Sequence, residues 1–275
     1  MSLTTVTGKV VVITGAGSGI GRALALRCAR EGALLALSDR DRDSLAETVA
    51  LAEQAGAQKV RQDVVDVSDR AAVAEWAADV VEELGRVNLV VNNAGVSATG
   101  DFTDLTYDDL DWIVGINFWG VVHGSKEFLP HLVASGDGAL VNISSLFGLV
   151  SVPSQSAYNA TKYAVRGLTE AIREEMLVHR HPVTVTCVHP GGIRTGISRH
   201  GRKAAGLDAA RIDALFDHRL ARMSPDRAAE IILDGALTGK PRVLVGLDAH
   251  VVHQLGRILG ARYQDVVARI APRTH

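Results

Sequence analysis

The stretch Lys9-Val10-Val11-Val12-Ile13-Thr14-Gly15-Ala16-Gly17-Ser18-Gly19-Ile20-Gly21-Arg22 decides the fold. Its first half is a β-branched run without polar alternation, which reads as a strand buried on both faces. Glycines interrupt it, and a helical pattern follows from about Ser18 to Glu31. The strict G-x-G-x-x-G spacing fails in every frame, because its third position falls on Ile20, Arg22 or Leu24. T-G-x-x-x-G-x-G fits, with Gly15, Gly19 and Gly21. Glycines there permit a tight turn, and a helix N-terminus offers unpaired N–H groups to a pyrophosphate. Gly15, Ser18, Gly19, Ile20 and Gly21 are therefore the candidate cradle.

Outward from this turn the same alternation recurs. Further strands are expected at Leu34–Ser38, Lys59–Asp63, Asn88–Val91, Gly138–Ile143, Val183–Val188 and Arg242–Val245, with helical patterns between them. Apolar strands separated by amphipathic helices imply an α/β fold: a doubly wound, Rossmann-like parallel sheet of about seven strands, with helices on both faces. No linker or repeat divides the chain, so residues 1–275 are read as one domain. Two regions break the rhythm. Residues 196–223 are charged and weakly periodic, and Ala249–Ile270 reads as helix broken near Gly256 or Gly260, within a tail of about 249–275.

Composition excludes several classes. The 275 residues carry a net charge of −2, which gives no basic field for nucleic acid. No apolar run reaches the ~18 residues of a membrane span, and the N-terminus lacks signal-peptide order, so a cytoplasmic protein is expected. Cys28 and Cys187 form no ligand pair, and no Cys/His cluster or H-E-x-x-H motif indicates a metal.

Asp39 ends the second strand, 18 residues beyond Gly21. A carboxylate there suits the adenosine ribose hydroxyls of NAD and repels a 2′-phosphate. The adjacent Arg40 leaves NADP open. Tyr158 and Lys162 stand four apart, on one face of a helix. An ammonium beside a phenol stabilises phenolate, as a general base requires. Ser145 lies at a strand end, 13 residues upstream of Tyr158, and completes a carbonyl-binding trio.

Together with Asp66-Val67-Ser68, Asn92-Asn93-Ala94-Gly95, Asn117 and Pro190-Gly191, these motifs make the chain resemble a short-chain dehydrogenase/reductase of about 250 residues over residues 7–247. The resemblance implies hydride exchange between a nicotinamide dinucleotide and a secondary alcohol or ketone. Tyr158 would move the proton, Lys162 would bind the nicotinamide ribose and lower the Tyr158 pKa, and Ser145, rather than Ser144, would bind the carbonyl. Asn117 would support a proton-relay water. Asp66 and Val67 would meet the adenine, with Asp63 the competing candidate. Asn93, Ala94 and Gly95 would pack beside the adenosine ribose, and Pro190, Gly191, Ile193 and Thr195 would hold the nicotinamide.

The family also implies a homo-oligomer, dimer or tetramer, and a substrate lid at about 196–223. The basic residues of that lid, Arg202 and Lys203 among them, raise the hypothesis of an anionic substrate tail such as a thioester carrier. Leu146, Phe147, Leu149 and Val152 are expected on the opposite wall, favouring an apolar small molecule. His189 reads as a satisfied structural histidine. The competing function is a catalytically silent nucleotide-binding or scaffold member of the same fold.

Overall fold

The structure is a computed structural model that describes residues 3–215 and 222–270. Seven strands form one parallel sheet: β1 (Val10–Thr14), β2 (Leu34–Asp39), β3 (Lys59–Val64), β4 (Leu89–Asn92), β6 (Gly138–Ile143), β7 (Val183–Pro190) and β9 (Arg242–Val245). Their order is β3-β2-β1-β4-β6-β7-β9. The order reverses between β1 and β4, so a crevice opens at the carboxyl ends of these two strands, where such sheets bind ligands.

Alternate residues of β1 serve opposite layers. Val11 and Ile13 pack with Leu24 and Cys28 of α1 (Gly19–Arg30) and with Ile232 of α8 (Pro225–Leu237). Val10 and Val12 join Trp76 of α3 (Arg70–Leu84), Phe128 of α5 (Gly120–Ser135) and Met176 of α6 (Ser156–Val178). A sheet covered on both faces explains the unbroken apolar strands. Both cysteines are buried, and burial pushes each thiol up to about 12, so they are inert core residues.

Local chemistry sets the helix ends. α2 (Arg42–Gln54) starts after Asp41, whose carboxylate accepts the Ser44 N–H and caps it. The helix before β6 is composite: α4 (Tyr107–Val114), a π turn at Gly115–Trp119, then α5. The π turn carries Asn117, and such turns accompany functional sites.

The segment after β7 holds a short strand, β8 (Arg202–Lys203), paired with β5 (Ala98–Thr99), and α7 (Ala209–Leu215). The tail forms α9 (Leu247–Leu259) and α10 (Tyr263–Ile270). It breaks at Gly260 in a left-handed conformation (φ 53°), while helix runs through Gly256. Among the described residues, no helix is long and apolar enough to cross a membrane.

Candidate active site

The glycine turn is held from below. Thr14 Oγ1 accepts the Asn93 and Ala94 N–H groups, both at 3.0 Å, while Asn93 Nδ2 donates to the Thr14 and Gly15 carbonyls. Gly15 adopts φ 64°, and a Cβ there would lie 2.8 Å from Ala94 Cα. No side chain caps α1 and its first turn carries no acid, so its N–H groups are available to an anion. Arg22 is not a phosphate ligand in this arrangement. Its guanidinium is spent on the Gly17 carbonyl, Thr48 and Glu47.

Asp39 stands at the far wall, where its carboxylate accepts Gly17 N–H at 2.8 Å and Asp41 N–H at 3.0 Å. Arg40 beside it is exposed. Of the two candidate acids, Asp63 near the end of β3 is engaged by Arg61 through two bonds of 2.8 Å, while Trp76 Nε1 donates to the same carboxylate. Asp66 instead borders the crevice, with its carboxylate accepting from Ser68.

At the other end, β6 delivers two serines with different tasks. Ser144 Oγ donates to the Lys162 carbonyl at 2.8 Å, a structural bond. Ser145 faces Tyr158, and its hydroxyl also accepts the Phe147 N–H at 3.1 Å. Lys162 is 3% exposed and donates to the Ile143 carbonyl at 3.0 Å, with Nζ 5.6 Å from the Tyr158 ring centroid. Beneath them a buried amide chain ties the strands to the helices. Asn92 donates to Asn142 at 2.8 Å, and Asn142 donates to Thr169 of α6 at 3.1 Å.

Burial penalises both charged forms in this site. It pushes the Tyr158 phenol up to about 12, against the downward pull of Ser145, and pushes the Lys162 ammonium down to about 8. In the protein alone, desolvation is the larger influence on the Tyr158 phenol. Asn117 is fully buried. Its Oδ1 accepts Val96 N–H at 2.8 Å and its Nδ2 donates to the Val96 carbonyl at 2.9 Å, so the side chain braces the loop after β4.

Apart from Asn117 and the buried Gly21, every predicted site residue lines a single cavity of about 950 Å³. The loop from Pro190 to Thr195 is pinned by a residue that no motif singles out. Asp248, at the start of α9, accepts the Gly192 N–H at 2.7 Å, and a Cβ on Gly191 would collide with its carboxylate. The tail also supplies Val252, Leu255, Gly256, Tyr263, Val267 and Ile270 to the cavity wall. The pattern had shown these as helix without showing where the helix lies.

Two expectations about the opposite side change. Leu146, Phe147 and Val152 line the cavity, but the turn Leu146–Gly148 directs Leu149 to a separate cavity lined by Arg166, Arg242 and Arg257. Two cations of the basic segment are paired. Arg202 pairs with Asp109 at 3.1 Å and stacks over Trp112, and Lys203 pairs with Asp213 at 3.0 Å; neither reaches the cavity. Arg219 lies outside the described residues.

His189 is fully buried, with Nδ1 2.8 Å from the Ser145 carbonyl. Nδ1 carries the proton, since its partner is a carbonyl, and Nε2 has no partner among the described residues. The histidine is thus structural but only half satisfied. Burial lowers its pKa from 6.5 to about 4. A folded pKa below the unfolded one gives stability that is full above 6.5 and drains as pH falls toward 4, worth about 3 kcal/mol. Denaturation midpoints should therefore fall across that window, and less steeply in His189→Gln; equal slopes would contradict this.

The whole arrangement places the protein in one class. The family model for short chain dehydrogenases matches residues 9–206, and the chain belongs to that family. SadH of Mycobacterium tuberculosis, which carries the name of an oxidoreductase, is 56% identical over 261 residues, covering 95% of this chain and 94% of SadH. A short-chain dehydrogenase/reductase from Burkholderia phymatum, solved with NAD, superimposes with a TM-score of 0.87 at 30% identity, covering 94% of this chain and 96% of that one. One from Mycobacterium paratuberculosis, also bound to NAD, gives 0.76 at 29% identity, covering 88% and 97%.

Proposed function

We propose that the chain exchanges hydride between a nicotinamide dinucleotide, NAD(H) in preference to NADP(H), and a secondary alcohol or its ketone. The observation that carries this reading is the continuity of the cavity, which joins the glycine turn and Asp39 at one end to Ser145, Tyr158 and Lys162 at the other. The donor set fits the cofactor: free helix N–H groups for the pyrophosphate, the Asp39 carboxylate for the ribose, and the Pro190–Thr195 loop for the carboxamide.

When bound, the nicotinamide supplies or accepts the hydride. The chain's own residues handle the proton. Ser145 Oγ orients the substrate oxygen. Tyr158 Oη takes the hydroxyl proton during oxidation and returns it during reduction. Lys162 stabilises the phenolate, and its ammonium binds the adjoining ribose. Asn117 is a positioning residue that fixes the loop opposite Lys162.

Because burial holds the proton on Tyr158, kcat/KM for alcohol oxidation should rise with pH. Lys162→Met should move that rising limb to higher pH, by about one unit or more for a lost close ammonium. A limb unmoved by the substitution would remove Lys162 from the proton chemistry. A screen of the purified chain with NAD and NADP against alcohols and ketones tests the reading directly. Cofactor-dependent turnover with NAD favoured is expected. No turnover on any carbonyl or alcohol would favour a silent nucleotide-binding member, and preference for NADP would shift the cofactor assignment to Arg40.

A further inference from the structure

The substrate end of the cavity has a wall that the motifs do not account for. α9 and α10 fold over it, placing Val252, Leu255, Val267 and Ile270 against the cavity, across from Val150 and Val152. The hairpin is anchored rather than merely adjacent. Tyr263 is 9% exposed, and its hydroxyl accepts the Ser151 N–H at 2.9 Å. α9 also approaches closely, since a Cβ on Gly256 would lie 3.0 Å from Val150 Cγ1.

Charge is missing from this end. Among the described residues, the basic side chains on the cavity are Arg40, at the adenosine end beside Asp39, Lys162, whose Nζ donates to Ile143, and a single imidazole, His200. The one acid contributed by the tail, Asp248, is bonded to Gly192 N–H. A carboxylate or phosphate on the substrate would lose its hydration here with no Lys or Arg of the tail to replace it, a heavy penalty. Apolar surface, by contrast, is matched along both walls.

We propose that the C-terminal hairpin α9–α10, together with Ile197 and Ile212 of the 196–223 segment, sets specificity, and that the substrate is a bulky, uncharged, lipophilic secondary alcohol or ketone. Its oxygen sits between Ser145 and Tyr158, and its apolar body lies along the hairpin. This rests on the oxidoreductase reading above and adds the substrate class to it. The reaction balances: the carbinol carbon gives a hydride to the oxidised nicotinamide, its hydroxyl proton goes to Tyr158, and a ketone leaves.

The test uses the full chain with bound cofactor and a series of straight-chain 2-alkanones and 2-alkanols of increasing length. Catalytic efficiency should climb roughly threefold or more per added methylene until the wall is filled. Leu255→Asp, at a partly exposed position that tolerates a charge, and Gly256→Val, which narrows the gap to Val150, should each cut efficiency on the longest members by about tenfold or more. Both should spare the shortest. The Arg202→Ala/Lys203→Ala double variant should change the length profile little. Calorimetric binding of a long ketone to the cofactor-loaded Tyr158→Phe protein supplies a readout without turnover, and Leu255→Asp should weaken it too. Turnover with a flat length profile, preference for an anionic substrate, or indifference to both tail variants would overturn the proposal while leaving the oxidoreductase reading intact. Tight, tail-dependent binding of the ketone with no turnover in the wild type would instead overturn that reading.

Discussion

Tyr158→Phe should lower kcat by about three orders of magnitude or more while leaving nicotinamide dinucleotide affinity within about a factor of two. The substitution removes one oxygen. The ring itself is retained by the edge-on contact with Phe147, at 6.2 Å between centroids, and by its place on α6. The cradle at the other end of the cavity is built from residues of β1, α1 and the loop after β4, none of which touches the phenol oxygen. Loss of turnover together with loss of cofactor binding would point to collapse of the site. Retained turnover would remove Tyr158 from the chemistry. Ser145→Ala should produce a loss of the same kind but smaller, since the proton donor remains and only the orientation of the substrate oxygen is lost.

The second large effect concerns the turn. In Gly21→Val the first side-chain atom would lie 2.1 Å from the Gly15 carbonyl oxygen and 2.6 Å from Asn93 Nδ2, with no space to yield. The turn must open, which breaks the Asn93 bonds to Thr14 and Gly15 and displaces the α1 N-terminus. Cofactor affinity should fall about a hundredfold or more, and stability by about 2 kcal/mol or more, as overpacking against backbone does. Gly167→Ala is the matched control. It lies in α6, where a Cβ meets nothing within 4 Å, and should be neutral or stabilising by up to about 1 kcal/mol. Normal dinucleotide binding by the Gly21→Val protein would show that the turn is not the cradle.

Much of this geometry was legible because it depends on local pattern. Unbroken β-branched runs announced strands covered on both faces, and the glycine spacing placed the turn between β1 and α1. The family resemblance put Ser145 ahead of Ser144, and Asp66 ahead of Asp63; contacts that no spacing reveals are consistent with that order, since Ser144 donates to the Lys162 carbonyl and Asp63 is bound by Arg61 and Trp76. Part of the charge of residues 196–223 is paired, which spacing does not show because pairing is tertiary. Asp109, which neutralises Arg202, lies 93 residues earlier in the chain. The tail was visible as two helices with a break, but their docking depends on Tyr263 meeting Ser151, 112 residues upstream. Burial, which spacing cannot convey, is the larger influence on the Tyr158 phenol in the protein alone.

The central claim is direct hydride exchange at the Ser145–Tyr158–Lys162 end of the cavity, and label transfer tests it most directly. Wild-type protein would be mixed with oxidised NAD and a lipophilic secondary alcohol carrying deuterium at the carbinol carbon, and the reduced cofactor analysed by mass. One deuterium per reduced nicotinamide is expected, with none formed by Tyr158→Phe. Reduced cofactor without the label, or equal labelling by the Tyr158→Phe protein, would contradict the account.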